Sequence, residues 1–141
     1  MLATLRTLLI VLGVSAIAIA AMDILLGPTA TAGFFEGAYR ALAGGPPGGE
    51  AWPATMDNEM RFYAAMWGGY GAALLWTAAR LGDRLRLVPW LAGVFLLGGA
   101  GRAISFISVG PPHPFFGLLM WIELATPPLL IGLWLAARRR G

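Results

Sequence analysis

The sequence contains no cysteine and no lysine, a single histidine, and few charges of either sign. Without cysteine there are no disulfides, no thiolate metal sites and no cysteine nucleophile, and the redox compartment leaves no trace. One histidine cannot form a histidine cluster. No Ser/His/Asp set and no phosphate-cradling glycine loop accompany it, so hydrolase, metal and nucleotide chemistry find no support. The sequence predicts no cofactor and no metal. Charged residues make up 12% of the 141 positions, against about a quarter in ordinary soluble domains. So few charges cannot cover a water-exposed surface, and the solvent implied is lipid. Because lysine is missing, the net charge of +3 rests on ten arginines. That bias, beside abundant Ala, Gly and Pro, matches a GC-rich bacterial genome. The arginines flank apolar segments and build no groove-like basic patch, so no nucleic-acid partner is expected.

What is present is apolar. Hydrophobic residues are 58% of the chain, the mean hydropathy is +0.72, and six tryptophans suit the headgroup level of a bilayer. A span needs about 20 largely apolar residues. Four segments qualify, over about residues 5–26, 58–79, 87–109 and 114–137, so the expectation is a single all-α transmembrane domain, a four-helix bundle over residues 1–141. The first segment, with Arg6 ahead and an Ala-rich run to Ala21, also has the pattern of a signal peptide; it is read here as a retained helix with Asp23 in its last turn. Residues 27–57 form the long polar connection. Within it Phe34, Phe35, Ala38 and Leu42 share one helical face, with Glu36 and Arg40 spaced i, i+4 on the other, which predicts a short interfacial helix. Gly44-Gly45-Pro46-Pro47-Gly48-Gly49 then breaks regular structure. Trp52 anchors the return to the bilayer, and Asp57 is the expected N-cap of the second span.

Topology follows from the arginines. Arg6, Arg80, Arg84, Arg86 and Arg138 to Arg140 fall on one side of four spans, while Arg40, Glu36, Glu50 and Asp57 fall on the other. The positive-inside rule then places both termini in the cytoplasm and the chain, multi-pass, in a bacterial inner membrane.

The longest charge-free run, Ala103 to Ile122, is a trap. Gly110-Pro111-Pro112-His113-Pro114 cannot continue a helix, so this stretch becomes two half-helices joined by a loop. Arg102 and Glu123 are thereby placed inside the membrane, roughly 10–14 Å below its outer edge on adjacent antiparallel helices. An isolated charge at that depth costs at least about 3 kcal/mol, which predicts a buried Arg102–Glu123 ion pair. Gly98, Gly99, Ala100 and Gly101 would let a neighbouring helix approach closely, and Ser105 lies one turn on. Pro127 and Pro128 lack amide protons, leaving the carbonyls of Glu123 and Leu124 in need of donors that the Arg102 guanidinium can supply.

The second span contributes Glu59, Tyr63, Met66, Tyr70, Ala73 and Thr77 on one face, and Ala64, Gly68 and Ala72 as a small-residue face. Glu59, Arg61, Tyr63, Trp67, Tyr70, Arg102, Ser105, Trp121 and Glu123 are therefore the candidate pocket residues, grouped in the outer half of the bundle with Asp23 and His113. Each has a plainer reading. Arg102–Glu123 can be only a helix clamp, Glu59 and Arg61 solvated interfacial charges, His113 a solvated loop residue, Asp23 an interfacial cap, and the aromatics simple packing.

Asn58-Glu59-Met60-Arg61-Phe62-Tyr63 followed by Gly69-Tyr70-Gly71, then Gly98-Gly99-Ala100-Gly101-Arg102-Ala103-Ile104-Ser105, Gly110-Pro111-Pro112-His113-Pro114 and Glu123-Leu124-Ala125-Thr126-Pro127-Pro128, resemble the small bacterial four-helix membrane proteins catalogued as domain of unknown function 4345. The resemblance spans nearly the whole chain and is strongest from Asp57 to Pro128; the glycine-rich connection departs from it. It implies a shared four-helix fold and matches the positions of Glu59, Arg61, Arg102 and Glu123. It carries no activity.

The leading expectation is a membrane protein that binds a lipid-like or small amphipathic molecule in a polar, aromatic-lined pocket, with Arg102 contacting it and Glu123 orienting Arg102. Membrane lipids and a lipophilic small molecule are the expected partners. One alternative is an accessory or structural subunit that forms a homodimer or docks on a larger membrane complex through its glycine faces. Another is a membrane isomerase or lipid-modifying enzyme using Glu59 as its base, since an arginine partner keeps Glu123 ionised.

Overall fold

The computed structural model describes residues 1–46, 48 and 51–139. The expected roles of Glu50 and Arg140 in the charge asymmetry, and the Pro47 and Gly49 part of the glycine-proline connection, lie outside the described residues. The helices are α1 (Leu2–Leu26), α2 (Pro28–Ala43), α3 (Ala54–Ala79), α4 (Leu81–Arg84), a 3-10 turn (Leu85–Leu87), α5 (Val88–Ser108) and α6 (Pro114–Arg138). No strand occurs among the described residues. The chain is all-α.

Its punctuation follows local chemistry. Gly27 takes φ +91° between α1 and α2, and Pro28 opens α2 at a position that needs no amide proton. α5 ends at Ser108, Gly110 adopts φ +117°, and α6 starts on Pro114. The proline-rich break is therefore a loop, as its composition requires. His113 caps α6, its Nδ1 accepting from the Phe115 amide at 3.3 Å, so it has a structural function beyond that of a solvated loop residue. α6 continues as one helix through Pro127 and Pro128.

Two local expectations are corrected. Asp57 does not cap α3, which starts three residues earlier at Ala54. It sits inside the first turn and pairs with Arg61 one turn on. In α2 the apolar stripe expected of an interfacial helix is kept, but Glu36 on the opposite face is buried in the protein. Thr31 and Glu36 are buried, Glu36 at 8% exposure, whereas Phe34 is exposed and Leu42 is 90% exposed. The apolar stripe of α2 faces outward, as lipid contact would require.

Three helical stretches, Leu2–Leu26, Leu81–Ser108 and Pro114–Arg138, are long and apolar enough to cross a membrane. α3 has the length, at 26 residues, and no charge from Phe62 to Ala79. Its glycines, tyrosines and tryptophans hold its hydropathy below that of the other three.

The chain forms two compact units, one of Met1–Val11 with everything from Leu74 onward, the other of Leu12–Ala73. In the second unit α1 and α3 meet through small residues. A Cβ on Gly71 would stand 2.8 Å from the Gly13 carbonyl and 3.0 Å from the Ala16 Cβ, and one on Gly68 would stand 3.3 Å from the Ala20 Cβ. The small-residue face of α3 is thus Ala64, Gly68 and Gly71, which are buried or half-buried, while Ala72 is exposed. In the first unit α5 and α6 form an antiparallel hairpin across the loop 109–113. A Cβ on Gly99 would stand 3.0 Å from both the Glu123 Cβ and the Leu124 Cδ2. These close approaches take the place of a hydrophobic driving force, which lipid does not supply between helices.

Candidate functional site

The charged residues of the apolar segments form two clusters, one in each unit. In Leu12–Ala73 the centre is Arg61. Its Nε donates to Asp57 Oδ2 at 2.7 Å, its Nη2 to Asp57 Oδ1 at 3.3 Å, and its Nη1 to the carbonyl of Ile24. Ile24 lies in the last turn of α1, where carbonyls have no helical partner, so the guanidinium acts as a C-terminal cap. Asp23 faces both Arg61 and Thr31. The Thr31 hydroxyl donates to the Gly27 carbonyl at 3.0 Å. Gly27 leaves room for the guanidinium: a Cβ there would lie 2.8 Å from Arg61 Nη2. The Trp52 amide donates to Thr29 Oγ1 at 3.2 Å and ties the returning chain to the start of α2. Each of the three nitrogens of Arg61 thus donates within this cluster, using three of its five N–H groups.

The second cluster is sparser. Arg102 Nε donates to Glu123 Oε2 at 2.8 Å, which establishes the ion pair that the proline break implies. The two side chains differ sharply in burial, at 39% exposure for Arg102 and 9% for Glu123. Gly99 seats against the Glu123 side chain and backbone, so the carboxylate is wedged between α5 and α6. Among the described residues, the Nη groups of Arg102 meet no hydrogen-bond acceptor. The expected reach of this guanidinium to the carbonyls freed by Pro127 and Pro128 is not among its contacts. The buried carboxylate thus accepts from one of the five N–H groups of the guanidinium.

The remaining candidates are placed as follows. Glu59, Arg61, Tyr63, Trp67 and Tyr70 belong to the Leu12–Ala73 unit, and Arg102, Ser105, Trp121 and Glu123 to the other. Trp67 and Tyr70 stack with ring centroids 5.1 Å apart and planes at 22°. Glu59, Tyr63, Ser105 and Trp121 are exposed on their helices. Two surface recesses, one lined by Met1, Gly132, Leu135, Ala136 and Arg139 and the other by Leu2, Ala3, Arg6, Leu81 and Gly82, contain none of these candidates. No cluster of three or more His, Asp or Glu ligands for a metal is found among the described residues.

Sequence reasoning missed the Gly27–Thr31 floor of the Arg61 cluster. Its signal was present in Gly27-Pro28 directly after Asp23, a helix stop and start with an acid beside it. It also missed that Glu36 is buried, because the i, i+4 spacing to Arg40 resembled a solvated pair.

No curated protein and no solved structure matches the chain. The family model described as Domain of unknown function (DUF4345) matches residues 4–135, nearly the whole sequence, so the chain belongs to that family.

Proposed function

We propose that this protein is a four-span bundle, with both termini in the cytoplasm of a bacterial inner membrane, that binds a lipid-like or small amphipathic molecule at Arg102. The observation that carries this reading is the half-exposed Arg102 guanidinium, fixed at one nitrogen by buried Glu123 while its Nη donors meet no acceptor among the described residues. Arg102 lies six residues before the end of α5 and Glu123 nine after the start of α6, so both sit within the apolar layer. A guanidinium at that depth needs acceptors, and an ester carbonyl, a carboxylate or a phosphate of an amphiphile supplies them. As a fourth span, α3 is supported by its 26-residue length and its glycine contacts with α1.

The glycine faces on which a docking role would depend are partly used within the chain, since Gly68 and Gly71 seat against α1 and Gly99 against α6. Glu59, the base of the enzyme alternative, is exposed near the start of α3.

The test is native mass spectrometry of the detergent-purified protein, repeated after solvent extraction. A single retained molecule should be present in the wild type and absent from the charge swap Arg102→Glu with Glu123→Arg, provided the swap unfolds at the wild-type temperature. Retention undiminished in a folded swap would overturn the assignment, as would the absence of any retained molecule in the wild type.

A further inference from the structure

One end of the Met1–Val11 and Leu74-onward unit gathers charge of one sign. Arg6, Arg80, Arg84, Arg86, Arg138 and Arg139 lie in or beside the residues that meet there, against the single acid Asp83. The recesses themselves bring these segments together, one joining Met1 to Arg139, the other joining Arg6 to Leu81 and Gly82. Two of the arginines are already engaged. Arg84 lies 3.6 Å over the Trp76 ring and donates to the Trp76 carbonyl, and Arg138 lies 4.9 Å over Trp134. With exposed Trp90 at the start of α5, three tryptophans mark this end as headgroup level.

Four arginines, Arg6, Arg80, Arg86 and Arg139, remain exposed at that level. Arg6 and Arg139 differ from the other two in one respect. Each lines a recess whose other walls are Met, Leu, Ala and Gly, so a guanidinium adjoins an apolar groove. That pairing matches a phosphate with an attached acyl chain and no soluble anion. We propose that Arg6 and Arg139 bind the phosphate of anionic phospholipid, with acyl chain lying in the recess beside each, while Arg80 and Arg86 add only diffuse attraction. This site is independent of Arg102.

The experiment compares two double variants of equal charge change in the full-length protein. Lipid retention is measured by native mass spectrometry during titration with phosphatidylglycerol, and with phosphatidylcholine as the zwitterionic control. The wild type should retain phosphatidylglycerol at least about tenfold better than phosphatidylcholine. Arg6→Gln with Arg139→Gln should abolish that preference, whereas Arg80→Gln with Arg86→Gln should lower it by no more than about threefold. All four positions are exposed, so both variants should fold, and matching thermal unfolding checks this. Equal losses in the two variants would leave only diffuse surface charge and overturn the site. Displacement of the lipid by millimolar inorganic phosphate would equally overturn it, because the apolar recess would then contribute nothing.

Discussion

Arg61 and Arg102 are both arginines in apolar helices with a carboxylate at hydrogen-bond distance, yet their surroundings differ in kind. All three nitrogens of Arg61 donate, to Asp57 and the Ile24 carbonyl, with Asp23 nearby and Gly27 making room. It closes a junction where three helices start or stop. Among the described residues Arg102 makes one hydrogen bond, to a carboxylate far more buried than itself. An arginine held at all three nitrogens is a fastening, while one held at a single nitrogen in an apolar layer is free to serve as a binding group. Residue type and partner type are the same in both cases; what separates the roles is the count of acceptors around each guanidinium.

The largest expected effect tests the burial asymmetry of the second pair. Arg102→Ala leaves Glu123 buried without a partner and should cost about 3 kcal/mol in reversible unfolding by denaturing detergent. Glu123→Gln should cost clearly less, because half-exposed Arg102 can turn toward water or headgroups. Equal costs would mean that the two side chains share one environment and that the asymmetry is unimportant. Gly99→Val comes next. The new side chain collides with Glu123 and Leu124, and overpacking of this kind should remove about 1–3 kcal/mol; an unchanged unfolding midpoint would show that α5 and α6 can part without loss.

At the first cluster, Gly27→Ala should cost about 1–2 kcal/mol from its left-handed backbone alone. It should also displace Arg61, which trypsin sensitivity at Arg61 would report as faster cleavage. Arg61→Gln should be milder and salt-dependent, and it should leave any molecule retained at Arg102 in place. Loss of that molecule in Arg61→Gln would dissolve the distinction between fastening and binding group. The smallest effect is at His113, where Ala should cost about 1 kcal/mol through the lost α6 cap and Asn should recover most of it. Thermal unfolding of the two variants side by side decides that.

The sequence by itself determined the membrane-like all-α character, because 12% charge on 141 residues cannot solvate a surface. It determined the α5–α6 loop, because Pro111, Pro112 and Pro114 admit no helix, and from that loop the Arg102–Glu123 pair followed by equal depth. Family membership was legible for the same reason, since the motifs that carry it are these breaks and charges in fixed order. Only the tertiary structure decided which face of α2 is buried, since Phe34/Leu42 and Glu36 are equally consistent with either orientation in the periodicity. It likewise decided that Gly71 and not Ala72 meets α1, a difference of 100° around the helix that small-residue spacing does not resolve. And it separated Arg61 from Arg102, because the third nitrogen of Arg61 is met by the backbone carbonyl of Ile24 beside the space that Gly27 leaves, and a carbonyl oxygen is the same in every residue of the sequence.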